Sequence, residues 1–192
     1  MKAIYKFNEW KRNIDDEYLQ GLLNKMDNND IEECFGKSLK FGTGGLRAKI
    51  GAGPNRLNIY TIRKNTEGYA RWIDQQDLES KEKGVVIAHD NRFMSKEFAY
   101  ETAKVLANHK IKTYLFSSLR TTPELSFAVR YLKAFGGIVI TASHNPPEYN
   151  GYKIYDETGC QCVLRYTDEI IKYIDTIENE LDVMCVDEQE RI

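Results

Sequence analysis

Gly136-Gly137-Ile138-Val139-Ile140-Thr141-Ala142-Ser143-His144-Asn145-Pro146-Pro147-Glu148-Tyr149-Asn150-Gly151-Tyr152-Lys153 is the stretch that decides the fold. The β-branched run Ile138 to Ile140 forms a short buried strand. It has to stop near Ser143, because Pro146 confines Asn145 to extended backbone and neither proline can donate to a ladder. A serine therefore stands where a strand gives way to a stiff loop. One reading is local, with Ser143 bonding its own backbone in an ordinary turn. The other makes it a reactive group displayed at a sheet edge.

Working upstream, Val85 to Ala88 and Thr113 to Phe116 read as two further strands. Between them lies a helix that Ser95 caps, with Phe98, Thr102, Val105 and Leu106 on one face. Thr122-Pro123-Glu124 supplies an N-cap, a first-turn proline and an acidic first turn for the next helix. That helix carries Leu125, Ala128, Val129 and Leu132 and ends at Gly136-Gly137. Two helical crossovers make the three strands parallel, with right-handed connections. The loops 89–92, 117–122 and 142–145 then emerge at one carboxyl edge, where open α/β sheets bind ligands. Topology alone thus favours Ser143 as a site residue.

The flanks complete the pattern. Ile59, Ile62, Thr66, Tyr69 and Ile73 form the buried stripe of a helix from Asn58 to Gln75, with Trp72 beside it. Asn150-Gly151 favours a tight turn, and Tyr152 to Tyr155 with Cys160 to Leu164 reads as a hairpin across residues 156–159. A last helix begins near Thr167 and carries Ile170, Ile171, Ile174, Ile177 and Leu181. The first forty residues form a helical lead-in, with Ile14, Tyr18, Leu19, Leu22, Leu23 and Met26 at helical spacing behind Asp15 and Asp16. The cluster Asp27 to Asp30 is read as a turn, since its spacing lacks the ligand series of a calcium loop.

At 192 residues and 42% apolar, the chain can bury one ordinary core. A formal net charge of −2 supplies no basic field for nucleic acid or an anionic membrane, so a small-molecule partner is expected. There is neither an apolar run of spanning length nor a signal-peptide start, and a cytoplasmic location is expected. Cys34, Cys160, Cys162 and Cys185 lack paired zinc spacing and are expected to be reduced packing residues. Cys160 and Cys162, two apart in an expected strand, would share a face, which leaves a metal or redox reading open.

As a hydrolase nucleophile, Ser143 would need a base in contact, yet His144, its neighbour in an extended segment, points to the opposite face. As a phosphoryl carrier it needs cationic partners, and Arg47, His144 and Lys153 are the candidates. Gly42, Gly44 and Gly45 let backbone approach a phosphate, although the Walker spacing is absent. Lys153 alternates away from Tyr152 and Ile154 along its strand.

The run Thr141 to Lys153 resembles the phosphoserine loop of the α-D-phosphohexomutases, and Phe41-Gly42-Thr43-Gly44-Gly45-Leu46-Arg47 resembles the motif that opens that family's first domain. Residues 51–58 and 89–92 extend the likeness, which is strongest toward the phosphoglucomutase and phosphopentomutase branch. The resemblance implies a three-layer α/β/α domain with a mixed, largely parallel sheet over residues 41–192, behind a helical extension over 1–40. It implies that Ser143 carries the phosphoryl group and, through its phosphate, ligates Mg²⁺. Lys153 is implied as general acid/base, with Arg47 and His144 assisting, and Thr43, Gly44 and Asn145 as phosphate or substrate contacts. Glucose 1-phosphate and glucose 6-phosphate are the implied substrates, with glucose 1,6-bisphosphate as phosphorylating activator.

Departures from the family pattern matter as much. A complete phosphohexomutase has four domains, and this sequence lacks an Asp-Gly-Asp-x-Asp-Arg metal loop, a sugar-recognition loop and a terminal phosphate-gripping loop. The remaining metal ligands are therefore expected outside this chain, the C-terminal domains are implied partners, and the acidic end Val186 to Glu190 reads as an interdomain cut. Alone, such a piece is expected to fold but to turn over barely. A phosphomannomutase or phosphopentomutase domain, or a non-catalytic sugar-phosphate-binding or interaction module, remains open on the sequence.

Overall fold

The computed structural model describes residues 2–186. Three helices open the chain: α1 (Lys2–Asn13), α2 (Glu17–Leu23) and α3 (Asn28–Phe35). Asp16 caps α2 through the Leu19 N–H, in line with the acidic start expected there. The Asp27 to Asp30 cluster, expected to be a turn, instead starts α3. Asp27 accepts from the Asn29 and Asp30 N–H groups at 2.8 Å each, and the Asp30 carboxylate receives the Asp27 N–H at 3.2 Å. This reciprocal box satisfies donors that the first turn otherwise leaves unpaired. Phe7, Trp10, Leu19, Leu23, Ile31 and Phe35 then pack into their own small core against Ala52 and Tyr60.

The main domain runs β1 (Gly45–Lys49), α4 (Ile59–Asp74), α5 (Leu78–Lys83), β2 (Val85–His89), α6 (Ser95–Asn108), β3 (Thr113–Leu115), α7 (Thr122–Tyr131), β4 (Gly136–Ile140), β5 (Tyr149–Tyr155) and α8 (Leu164–Asp175). Strand order is β1-β5-β4-β2-β3. Both pairings of β2, with β3 and with β4, are parallel, while β5 runs antiparallel to β4 and β1. Four strands therefore point one way and β5 the other, the mixed sheet expected.

Alternation divides the strands between two layers. Ile87, Ile138, Ile140, Tyr152 and Ile154 meet Ile62, Tyr69 and Ile73 of α4, Phe98 and Leu106 of α6, and Ile170 and Ile174 of α8. Val86, Ala88, Val139 and Tyr155 meet Leu125, Ala128 and Val129 of α7 on the opposite face.

Local details differ from the sequence reading. Met94, at φ 63°, holds the N-cap position of α6, and Ser95 is its first helical residue. Thr121 rather than Thr122 is the N-cap of α7, with Glu124 closing the box at 2.8 and 2.9 Å. Gly136-Gly137 do not end α7, which stops at Tyr131; they begin β4. A Cβ on Gly137 would lie 2.7 Å from Val129, so glycine lets α7 sit close. Asn150-Gly151 lies inside β5, not in a turn. There a Cβ on Gly151 would come within 2.6 Å of the Thr141 carbonyl and 2.9 Å of the Leu46 carbonyl, the backbones of the two neighbouring strands.

The expected second arm of a hairpin shrinks to one bridge, Tyr155 to Gln161, plus a Cys162 N–H bond to the Ile154 carbonyl. Cys160 is exposed and Cys162 buried, so they do not share a face. Burial, aided by Asp156 and Glu157, pushes the Cys162 thiol up to about 12, the behaviour of an inert packing residue. α8 starts at Leu164, ahead of the expected Thr167, and Ile177 and Leu181 lie beyond its end. The acidic stretch from Asp187 onward lies outside the described residues. No described helix is long and apolar enough to cross a membrane.

Candidate active site

Three loops meet at the carboxyl edge, as the topology requires. The Arg120 N–H bonds the His89 carbonyl at 2.9 Å and the Asp90 N–H bonds the Ile140 carbonyl at 3.1 Å, tying the ends of β2, β3 and β4 together. Beyond β4 the Asn145 N–H returns to the Ala142 carbonyl at 3.1 Å, closing a tight turn around Ser143. Ser143 is exposed and sits at φ 54°. The segment is thus a turn and not the extended run that would set Ser143 and His144 on opposite faces. A non-glycine residue in this region costs about 1–3 kcal/mol and persists only where its surroundings over-determine it.

Strand register brings up the first cation. In the β1–β5 ladder, Gly45 lies opposite Lys153 and Arg47 opposite Gly151, so both basic side chains leave the same face of the sheet. Lys153 Nζ donates to Ser143 Oγ at 2.9 Å. Burial lowers the Lys153 ammonium below its ordinary value, the Arg47 charge lowers it further, and Asp90 partly offsets both. Arg47 Nη1 donates to Asn145 Oδ1 at 2.6 Å, two residues beyond the serine in the same turn. A lysine that releases its proton more easily than a free lysine does, in contact with a hydroxyl, is placed to exchange a proton with it.

Thr43 and Gly44 occupy the turn that leads into β1, pinned by bonds in both directions between Gly42 and Gly45 at 2.7 and 3.2 Å. The Gly44 carbonyl accepts from the Ile154 N–H at 2.9 Å, which holds the turn beside Lys153. Gly45 has φ 155°, and a Cβ there would lie 2.2 Å from the Tyr152 carbonyl. Only glycine permits so close an approach. Thr43 and His144 are both exposed, and neither side chain takes part in the Lys153–Ser143 bond or the Arg47–Asn145 bond.

Loop 89–92 is legible in the sequence as part of the edge, whereas a role for Arg92 is not. Its guanidinium donates to four carbonyls of the serine loop: Ser143 at 2.9 Å, Asn145 at 2.7 Å, Pro146 at 2.9 Å and Tyr149 at 3.1 Å. The available signal was a loop with two prolines, whose carbonyls need donors from outside.

Mg²⁺, implied by resemblance, was tested against the donors present. Among the described residues no three His, Cys, Asp or Glu side chains converge on a cation. Asp90, the carboxylate felt by Lys153, accepts on Oδ1 from the Arg92 N–H and the Ser95 hydroxyl at 2.9 and 2.6 Å, and its Oδ2 faces Arg92 Nε at 3.5 Å. The described residues do not by themselves fit the ion beyond a phosphate carried on Ser143, and no step is derived through it.

Comparison with known proteins agrees with this layout. The profile of the phosphoglucomutase/phosphomannomutase family, α/β/α domain I, matches residues 38–181. A phosphoglucomutase of Staphylococcus epidermidis is 40% identical over 176 residues, covering 92% of this chain and 32% of the relative. One from Staphylococcus aureus strain MRSA252 is 40% identical over 174 residues, with coverage of 91% and 31%. The chain thus spans about a third of the length of these curated relatives. A crystal structure from Thermus thermophilus, provisionally described as a phosphomannomutase, superposes with a TM-score of 0.64 at 36% identity, over 72% of this chain and 30% of that one. A Paramecium phosphoglucomutase structure, parafusin, shares the fold at a TM-score of 0.59 and 24% identity, over 73% of this chain and 27% of that one. With profile, relatives and architecture in agreement, the chain belongs to the phosphoglucomutase/phosphomannomutase family, whose α/β/α domain I it carries.

Proposed function

We propose that this chain is the phosphoserine-bearing domain of an α-phosphoglucomutase that interconverts glucose 1-phosphate and glucose 6-phosphate through a bisphosphate. The observation that carries the reading is the 2.9 Å bond from Lys153 Nζ to Ser143 Oγ on an exposed, pre-shaped turn. In the uptake step, Ser143 Oγ bonds to phosphorus of a sugar bisphosphate while the ester bond between that phosphorus and the sugar oxygen breaks. The hydroxyl proton passes to neutral Lys153 and from the resulting ammonium to the departing sugar oxygen, so the sugar leaves as an alcohol and Lys153 ends neutral. Delivery to a sugar monophosphate is the same step reversed. Phosphoryl transfer asks chiefly for alignment and neutralised charge. Arg47 is suited to the second task, with His144 exposed at the rim of the same turn.

Phosphomannomutase or phosphopentomutase substrates differ from glucose phosphates at hydroxyls that none of the residues above addresses. The preference for glucose rests on the staphylococcal relatives being phosphoglucomutases. Because the described residues lack a carboxylate cluster, turnover by this chain alone is expected to be slow. The test is intact-mass analysis after incubation with glucose, mannose and pentose bisphosphates. Fastest gain of one phosphoryl group from glucose 1,6-bisphosphate supports the reading. No gain from any of them overturns it in favour of a non-catalytic module, and brisk mutase turnover by this chain alone overturns the expectation of slow catalysis.

A further inference from the structure

We propose that Arg92 is the positioning residue of the Ser143 turn, holding the serine in its left-handed conformation so that Oγ meets Lys153. The catalytic consequence rests on the phosphoryl-carrier reading above, whereas the conformational claim stands on the geometry by itself.

The loop's own chemistry creates the need. Two prolines remove two N–H donors, and the turn leaves the carbonyls of Ser143, Asn145, Pro146 and Tyr149 converging on one point. Arg92 fills that point. Its Nη2 donates to Ser143 and Asn145 at 2.9 and 2.7 Å, and its Nη1 donates to Pro146 and Tyr149 at 2.9 and 3.1 Å. Only a planar fork of fixed geometry can bind four acceptors in this way; a lysine ammonium is a compact charge with three donors. Charge-assisted bonds are roughly twice as strong as neutral ones, which suits them to hold a backbone in a disfavoured region. Returning Ser143 to negative φ would turn its carbonyl away from Nη2.

Arg92 is itself fixed, and by the same strand that carries Lys153. Its backbone N–H donates to Asp90 Oδ1 at 2.9 Å, and its Nε faces Asp90 Oδ2 at 3.5 Å. Ser95 Oγ donates to Asp90 Oδ1 at 2.6 Å and accepts from Asn150 Nδ2 at 2.8 Å. Asn150 and Ser95 are both fully buried. Asn150 and Lys153 lie three residues apart in β5. The serine, through Arg92, and the lysine that touches it are thus referenced to one rigid element, as a well-held reactive group requires. Arg92 touches the serine's carbonyl and not its hydroxyl, so it acts through Ser143 and not on the reacting atoms.

The test compares this chain with its Arg92→Lys, Arg92→Gln and Arg92→Ala variants. Two readouts are taken: the strong intraresidue amide-to-α-proton Overhauser effect that marks positive φ at Ser143, and single-turnover phosphoryl uptake from glucose 1,6-bisphosphate. Folded variants are expected to lose the Ser143 signal. Their maximal uptake rate is expected to fall about 100-fold, the cost of misplacing a reacting group by roughly 1 Å. The half-saturating bisphosphate concentration should stay within about twofold, because Arg92 does not bind the sugar. Added guanidinium ion should restore part of the rate to Arg92→Ala. Folded variants that keep the Ser143 signal or the parental rate overturn the proposal, as does loss of the folded state in both Arg92→Lys and Arg92→Gln, which would make Arg92 a structural residue only. If the parent chain takes up no phosphoryl group, the carrier reading falls, and the Overhauser effect alone still decides whether Arg92 sets the serine's conformation.

Discussion

Replacing Lys153 separates proton transfer from charge at this site. In the structure its Nζ bonds Ser143 Oγ at 2.9 Å, with its ammonium lowered first by burial and then by Arg47, against the pull of Asp90. If Lys153 accepts the serine's proton, only its neutral form works, so uptake should rise with pH and level off below its ordinary value of 10.5. General-base catalysis contributes roughly 10²–10⁴-fold, and Lys153→Met should lose that much. Lys153→Arg is the informative substitution. It keeps the positive charge but cannot give up its proton at any working pH. The assay is the first-order rate of phosphoryl uptake from glucose 1,6-bisphosphate across pH 6–10, read by intact mass at roughly half-unit steps. Loss of about 10²-fold or more in Lys153→Arg, with the pH dependence abolished, is expected. An arginine variant within about tenfold of the parent, or a parent rate flat across the range, would refute the base role and leave Lys153 as a neutralising charge.

Other expectations concern the framework. His109 lies between Glu67 Oε2 at 2.8 Å and Asp74 Oδ2 at 2.7 Å, and these carboxylates raise its imidazolium above its ordinary 6.5 despite opposing burial. Because the folded value is the higher one, the stabilisation is complete below about pH 6.5 and is lost as pH rises through the raised value. The urea midpoint should accordingly fall more between pH 6 and pH 9 in the parent than in His109→Gln; equal falls would show that the clamp contributes nothing. Gly45→Ala, whose Cβ would meet the Tyr152 carbonyl at 2.2 Å, should destabilise the fold by about 1–3 kcal/mol in urea denaturation. An unchanged midpoint would mean that β1 can move off β5 without cost.

The central βαβαβ unit was legible because β-branched runs alternate with amphipathic helices, and that periodicity alone fixes which loops share an edge. Misreadings came where tertiary contacts override local chemistry. Asn150-Gly151 carries the strongest short hairpin signal, yet Gly151 is present because two neighbouring backbones close on it inside β5. Gly136-Gly137 looked like a helix stop for the same reason, although the constraint is the approach of α7 and β5. β1 is five residues long and pairs with residues about a hundred positions later, beyond any local window. At the site, Ser143 and Lys153 could be chosen from sequence because a strand end and a strand face point to them. Arg92 could not, since it lies 51 residues before Ser143 and a lone arginine reads as surface. The left-handed turn at Ser143 was equally hidden, since the groups that hold it include Arg92 from a distant loop beside the local bonds of Ser143 to Thr141 and of Asn145 to Ala142.

The most direct measurement is the position of the phosphoryl group after incubation with glucose 1,6-bisphosphate, mapped by fragmentation of the modified peptide. The account predicts one phosphoryl group, on Ser143, absent from Ser143→Ala. A phosphate on Ser117 or Ser118 of the neighbouring loop, or equal uptake by the parent and Ser143→Ala, would contradict it.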